Sequence, residues 1–267
     1  MLKDITLGQY FPGITIVHKL DPRTKLVWLV GYIVALFLAK SYVSYAVMLC
    51  TLIMMSALGH IKPKTLMSGM KPLLFVVCFT GLINLFYGSG EPLVTFWIFK
   101  ITANGIRNAV FMVARIMLLV CGTFMLTYTT SPLALTDGLE LLLDPLKKIK
   151  LPVHELSMMM SIALRFIPTL IEETDKIMSA QKARGASFDT GKLTDRAKAL
   201  LPLLVPLFVS AFRRADELAT AMECRCYHGG EGRTRMKQLK YSGRDAAAFL
   251  LLAVVIAAVA VLRHFGL

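Results

Sequence analysis

Few residues in this chain are of the type and spacing that could do chemistry. A phosphate-cradling loop would read Gly-x-x-x-x-Gly-Lys-Ser/Thr, with backbone amides and the lysine on the phosphates and the hydroxyl on magnesium. The nearest approach is Gly185 with Gly191-Lys192, but five residues separate the glycines and Leu193 stands in the hydroxyl's place. Cys224, Cys226 and His228 share a short stretch. On a helix, however, the first and last of these lie on one face and Cys226 points away, which is poor geometry for a metal. No C-x-x-C pair occurs, and HExxH, GxSxG and paired-carboxylate patterns are missing from the apolar segments. These readings point away from catalysis by the chain alone and away from any cofactor or metal of its own.

What remains is arginine in unusual company. "SAQKARGASF", Ser179 to Phe188, ends a helical pattern with Ala183-Arg184-Gly185, and "TAMECRCYHG", Thr220 to Gly229, repeats the arrangement with Cys224-Arg225-Cys226. An arginine at a helix end offers up to five donors to carbonyls and carboxylates in a groove, and small neighbours let the backbone approach closely. Completing the helix dipole would explain one such arginine. Two copies invite a further explanation.

The elements that position these arginines are set by hydrophobicity. Of 267 residues, 56% are hydrophobic and 18% charged, more apolar than soluble domains, which run at about 45–50% and about 25%. About 20 apolar residues cross a bilayer core. The runs Leu26 to Ala39, Ser41 to Leu58, Pro72 to Tyr87, Gly105 to Tyr128 and Ala246 to Leu262 are expected to be five spans, with Lys40 in a tight turn between the first two. The start of the chain does not read as a signal peptide, since no small-residue cleavage site follows the first apolar run.

Lys19, Arg23 and Lys25 precede the first span, and Lys62, Lys64 and Lys71 lie between the second and third. Basic loops stay on the cytoplasmic side, so the N-terminus is expected inside, the C-terminus outside and residues 129–244 in the cytoplasm. This gives residues 1–128 as an N-terminal membrane region, 129–244 as a cytoplasmic domain and 245–267 as a last span. The net charge of +13 fits that bias together with attraction to lipid headgroups. Basic and acidic residues are mixed through the cytoplasmic segment, which argues against nucleic acid as a partner.

Within that segment, Ser131-Pro132 opens a short helix to Leu146, and Lys147 to Leu151 breaks the pattern. A long amphipathic helix then runs from Val153 to Arg184, with Pro168 expected to kink it and Gly185 to cap it. Its Met158-Met159-Met160 cluster suits either a surface that repacks against different partners or a plain buried core. The third helix, Leu193 to Cys226, holds "ALLPLLVPLFVSAF", too short to span and broken by Pro202 and Pro206, and is expected to lie at the membrane boundary. Arg115, near the middle of the fourth span, requires a partner at that depth. A structural contact to carbonyls or to a polar group on a neighbouring span is the expectation, with a substrate path as the alternative.

"HKLDPRTKL" at His18 to Leu26, "TYTTSP" at Thr127 to Pro132, "ALRFIPTLIEETDKIMSAQKARG" at Ala163 to Gly185 and "CRCYHGGEGRTRM" at Cys224 to Met236 occur in this order. Together they resemble the transmembrane T component of energy-coupling factor transporters, over essentially the whole chain. That resemblance implies an all-α integral membrane protein with about five spans and three coupling helices, two of them long and crossing. It also implies two ABC ATPase subunits that carry ATP and magnesium, and interchangeable substrate-binding S components for vitamin uptake at the cell membrane. This chain would be the non-catalytic coupler. Ala183, Arg184 and Gly185, with Cys224, Arg225 and Cys226, would dock the ATPases, although the two cysteines depart from the usual small neighbours. Met158, Met159 and Met160, with Leu203 and Phe208, would meet the S component. A dedicated cobalt or nickel T component, or a stand-alone secondary transporter, are the alternatives; the spans show none of the internal repetition the latter would bring.

Overall fold

The computed structural model describes residues 10–86, 92–96, 99–150, 152–186, 193–229 and 238–265. The protein is helical, as the apolar runs predict. In chain order it has α1 (Pro22–Leu38), α2 (Tyr42–Leu58), α3 (Pro63–Met70), a 3₁₀ turn (Lys71–Leu73) and α4 (Leu74–Phe86). Two short strands follow, β1 (Pro92–Phe96) and β2 (Phe99–Thr102), then α5 (Ala103–Thr129), α6 (Pro132–Leu143) and a second 3₁₀ segment (Asp144–Ile149). The long helices α7 (Val153–Ala183) and α8 (Leu193–Cys224) precede α9 (Gly243–His264). Contacts divide the chain into two units, one of residues 8–139 and 239–267, the other containing 140–238.

Among the described residues, three helical stretches are long and apolar enough to cross a membrane: Pro63–Phe86, Ala103–Thr129 and Gly243–His264; Tyr42–Leu58 is a shorter apolar helix. The third span starts earlier than the apolar run suggests. Pro63 sits in the first turn of α3 and Pro72 in that of the 3₁₀ segment, positions where the missing amide costs nothing. Helix therefore continues from 63 to 86, and Lys64 and Lys71 belong to it rather than to a loop. Tyr87 lies outside the described residues. The antiparallel pairing of β1 with β2, which places Thr95 opposite Lys100, was not expected.

The unit of residues 8–139 and 239–267 packs around α1. Trp28, Tyr32, Ala35, Leu36 and Ala39 are buried along one face, against Tyr45, Met48 and Leu52 of α2, Leu118 of α5 and Leu252, Val255 and Val259 of α9. Lipid tails are as apolar as leucine, so such helices associate through close packing rather than escape from water. Gly31 provides that closeness: a Cβ there would sit 2.8 Å from a Leu252 methyl. At Gly122 a Cβ would come within 3.0 Å of the Tyr32 ring. Outward, Phe37, Phe75, Phe79, Leu82, Leu250 and Val254 are all more than half exposed, a surface suited to hydrocarbon and a liability in water.

At one end of these helices the polar groups are tied to one another. Asp245, 1% exposed, accepts from the Asp21 amide at 2.9 Å and, through its other oxygen, from the Ser242 amide at 2.7 Å and hydroxyl at 2.8 Å. The Ser242 amide bond is one half of a capping box that starts α9. Asp21 in turn accepts from the Arg23 amide and, at 3.1 and 2.9 Å, from its guanidinium, which also reaches the Leu239 carbonyl and lies 4.0 Å over the Tyr241 ring. Buried Lys25 donates to the carbonyls of His18 and, at 2.9 Å, Thr129. The stretches "HKLDPRTKL" and "TYTTSP" thus meet, and α1, α5 and α9 are locked at one level.

Replacing Asp245 by alanine orphans the buried Asp21 amide, worth about 1–3 kcal/mol when left unsatisfied, and removes the cap bond to the Ser242 amide. The expected result is a clearly lower unfolding midpoint of the detergent-solubilised chain. Asp245→Asn, which keeps one acceptor oxygen, should fall between the variant and the natural protein in the same measurement.

Candidate functional site

The unit of residues 140–238 is dominated by α7 and α8. Both run through internal prolines, Pro168 in α7 and Pro202 and Pro206 in α8. A proline donates no amide hydrogen to the carbonyl four residues earlier. In α8 this leaves the Pro202 carbonyl without its Pro206 partner, and Gln181 of α7 takes it up in a long hydrogen bond of 3.4 Å. Further along, Glu173 of α7 accepts from Ser210 at 2.8 Å and from the Arg214 guanidinium at 2.6 Å, both on α8. The Arg214 hydrogen bond, seconded by that of Ser210, holds the Glu173 carboxyl below its ordinary value, so the pair stays charged across the neutral range and is lost only as pH falls below that of ordinary carboxylates. Position 181 meets 202 while 173 meets 210 and 214; the helices therefore pack antiparallel over this segment.

The two arginine stretches fold into the same structure. In α7, Arg184 is the C-cap, Gly185 has φ +88°, its amide donates to the Lys182 carbonyl at 3.0 Å, and the Ala186 amide reaches back to Gln181 at 3.0 Å. In α8, Arg225 follows the last helical residue, Cys226 has φ +55°, its amide donates to Glu223 at 2.8 Å, and Tyr227 reaches back to Met222 at 3.0 Å. Each is a Schellman termination with one residue in the left-handed region. Gly185 and Cys226 are thereby equivalent positions. Glycine holds this conformation without strain, whereas a side chain there costs on the order of 1 kcal/mol.

Arg184, Arg225, Cys224 and Cys226 are exposed. The antiparallel packing sends the two caps to opposite ends of the pair: Gln181, near the first cap, sits at Pro202, and Arg225 lies roughly 35 Å further along α8 at the helical rise. Gly191-Lys192 and the stretch from Gly230 to Met236 lie outside the described residues.

The remaining expected residues divide by burial. Met159 and Met160 are about half exposed, 54% and 44%, and Met158 is half-buried. Leu203 is buried at 6% and so withheld from any partner in this conformation, whereas Phe208 is exposed at 62% and stacks on Phe212. Periodicity marked α8 as amphipathic without showing which apolar residues face outward. The structure adds Leu201, Leu204, Val205, Val209 and Phe212 to the exposed set. In the other unit, half-buried Arg115 of α5 donates from Nε to the Tyr45 hydroxyl of α2 at 3.0 Å, makes a long contact of 3.5 Å to the Ala39 carbonyl, and lies 5.5 Å from the Phe37 ring centre.

Comparison with known proteins places this geometry. Residues 13–236 match the CbiQ family, described as cobalt transport protein. The energy-coupling factor transporter transmembrane protein EcfT of Thermosediminibacter oceani is 51% identical over 249 residues, 93% of this chain and 94% of that protein. EcfT of Heliobacterium modesticaldum is 54% identical over 247 residues, covering 92% and 93% of the two chains. EcfT of Bacillus subtilis is 47% identical over 264 residues, covering 98% of this chain and all of its own. At about half identity over nearly full length, with apolar helices that can cross a membrane, the chain belongs to the CbiQ family of transport proteins and, within it, to the transmembrane proteins of energy-coupling factor transporters.

Proposed function

We propose that this chain is the non-catalytic coupling subunit of an ATP-driven micronutrient importer, transmitting movement from two ABC ATPase subunits to a substrate-binding S component. The observation that carries the reading is the pair of matching caps: two exposed arginines, each at a Schellman-terminated helix end, set far apart on opposite ends of one helix pair. Two similar plugs suit two homologous sockets. ATP and magnesium belong to the ATPases; this chain supplies Ala183, Arg184 and Gly185 at one socket and Cys224, Arg225 and Cys226 at the other. The N-terminus and the unit holding α7 and α8 are assigned to the cytoplasm of a cell-membrane protein.

ATP binding draws the ATPases together, and the docked caps move with them. The Glu173–Arg214 pair and the Gln181 bond fasten α7 to α8, so displacement of a cap is carried into the helix bodies rather than lost at a loose joint. Met158, Met159, Met160 and Phe208, with the exposed apolar residues around them, present the surface on which the S component rests. Leu203 acts from within, as packing. Arg115 is assigned a structural role, tying α5 to α2 through Tyr45. The description of the matched family as cobalt transport favours one second reading, a dedicated cobalt or nickel T component. Several different small membrane proteins copurifying with the chain would mark the shared vitamin type, and one constant partner the dedicated type.

Removing a guanidinium that makes charge-assisted hydrogen bonds, each worth about 1.5–3 kcal/mol, weakens docking by about tenfold or more. Arg184→Ala and Arg225→Ala should each reduce ATPase copurification and substrate uptake, and the double variant should reduce both further. Normal copurification with normal uptake in the double variant overturns the proposal. The caps differ in a second testable way. Gly185→Ala should lower the thermal stability of the α7 end by about 1 kcal/mol, whereas Cys226→Gly, which relieves a strained side chain, should stabilise the α8 end or leave it unchanged; hydrogen exchange of the amides after each cap reads both.

A further inference from the structure

At the end of the membrane unit remote from the Asp245 network, a cavity of about 480 Å³ opens between α2, α4 and α5. Lys40, from the turn between α1 and α2, Asn84 from the end of α4, and Asn104, Arg107, Asn108 and Arg115 of α5 contribute to its wall. The α5 residues are spaced so that all four fall on one face, forming a polar stripe down a helix that is otherwise apolar. At the helical rise the stripe extends from the first turn of α5 to about 18 Å along it, at Arg115.

Three cations line this cavity, and among its described lining residues there is no carboxylate. Basic residues that merely snorkel to an interface do so singly, each reaching its own patch of water. Here two guanidinium groups and an ammonium converge on one volume, and the Asn104 and Asn108 amides share it. The start of α5 adds the positive end of its dipole, and its capped first turn lies beside Arg107. The Arg107 and Arg115 guanidinium groups lie 5.5 Å from the ring centres of Phe111 and Phe37, and such planar forks suit a tetrahedral oxyanion. Phe37, whose ring lies beside Arg115, and Tyr42, which packs on the lining residue Phe111, are exposed aromatics next to the cavity, a flank suited to acyl chains.

We infer that this cavity binds a phosphate-bearing anion, with Arg107, Lys40 and Arg115 on the phosphate oxygens. Two sources share that chemistry, the headgroup of an anionic phospholipid and a soluble phosphate, and the apolar flank is complementary to the lipid.

The test uses the full-length chain in mild detergent, titrated separately with phosphatidylglycerol, phosphatidylcholine and inorganic phosphate. Retained lipid is read by native mass spectrometry and stabilisation by thermal unfolding. The variant is Lys40→Gln with Arg107→Gln, two exposed residues whose loss leaves the Arg115–Tyr45 bond in place; its unfolding midpoint without ligand checks that it folds. A second variant, Lys62→Gln with Lys64→Gln, removes the same charge elsewhere on the unit. The expected result is retention of phosphatidylglycerol over phosphatidylcholine, reduced about tenfold or more in the first variant and unchanged in the second. Stabilisation by inorganic phosphate alone, lost in the first variant only, also supports the site and assigns it to a soluble anion. Equal retention of both lipids with no response to phosphate, or the same loss in both variants, overturns it.

Discussion

Where water is absent, each polar group has to find its partner inside the protein, and this constraint organises the membrane unit around Asp245. One carboxylate, 1% exposed, satisfies the amide that precedes α1 and the amide and hydroxyl that begin α9. Through Asp21 it holds the Arg23 guanidinium, and Lys25 beside it closes onto the last turn of α5. Three helices that could slide in a medium offering them no hydrophobic preference are fixed in register there. Glycines 31 and 122 then let neighbouring side chains pack directly on the backbone.

The other unit solves a different problem, because its backbone groups are left open by its own sequence. Prolines inside α8 free a carbonyl that α7 supplies with a donor, and Glu173 gathers a hydroxyl and a guanidinium from the same partner. The helices are joined by polar contacts at defined positions, while much of the apolar surface of α8 faces outward. The combination is a stiff internal joint with a greasy exterior available to another protein or to lipid.

Much of this was legible in the order of residues. Apolar length marked where the apolar helices lie, although among the described residues three of the five expected runs fall in helices long and apolar enough to cross a membrane; Ser131-Pro132 marked the start of α6 and Gly185 the end of α7, because each of these signals is local. The Asp245 network was not legible, since its partners lie 224 positions apart in the chain and nothing near Asp21 announces a carboxylate donated from α9. The hairpin carries a signal that apolar length hides: "VTFWIF" is rich in β-branched and aromatic residues, a strand composition, yet it is short and sits between two spans. Leu203 and Phe208 show the limit of periodicity. Both belong to the apolar run of α8, and only the fold shows that the first is buried and the second exposed. Cys226 was read as a departure from the small-residue pattern; its left-handed backbone makes it the counterpart of Gly185.

The proline pair in α8 also bears on how the chain is assembled. A helix whose own amides cannot satisfy all its carbonyls is incomplete alone, and the donor it lacks sits on α7, which leaves the ribosome first. Synthesis therefore presents the Gln181 donor before the Pro202 carbonyl it serves.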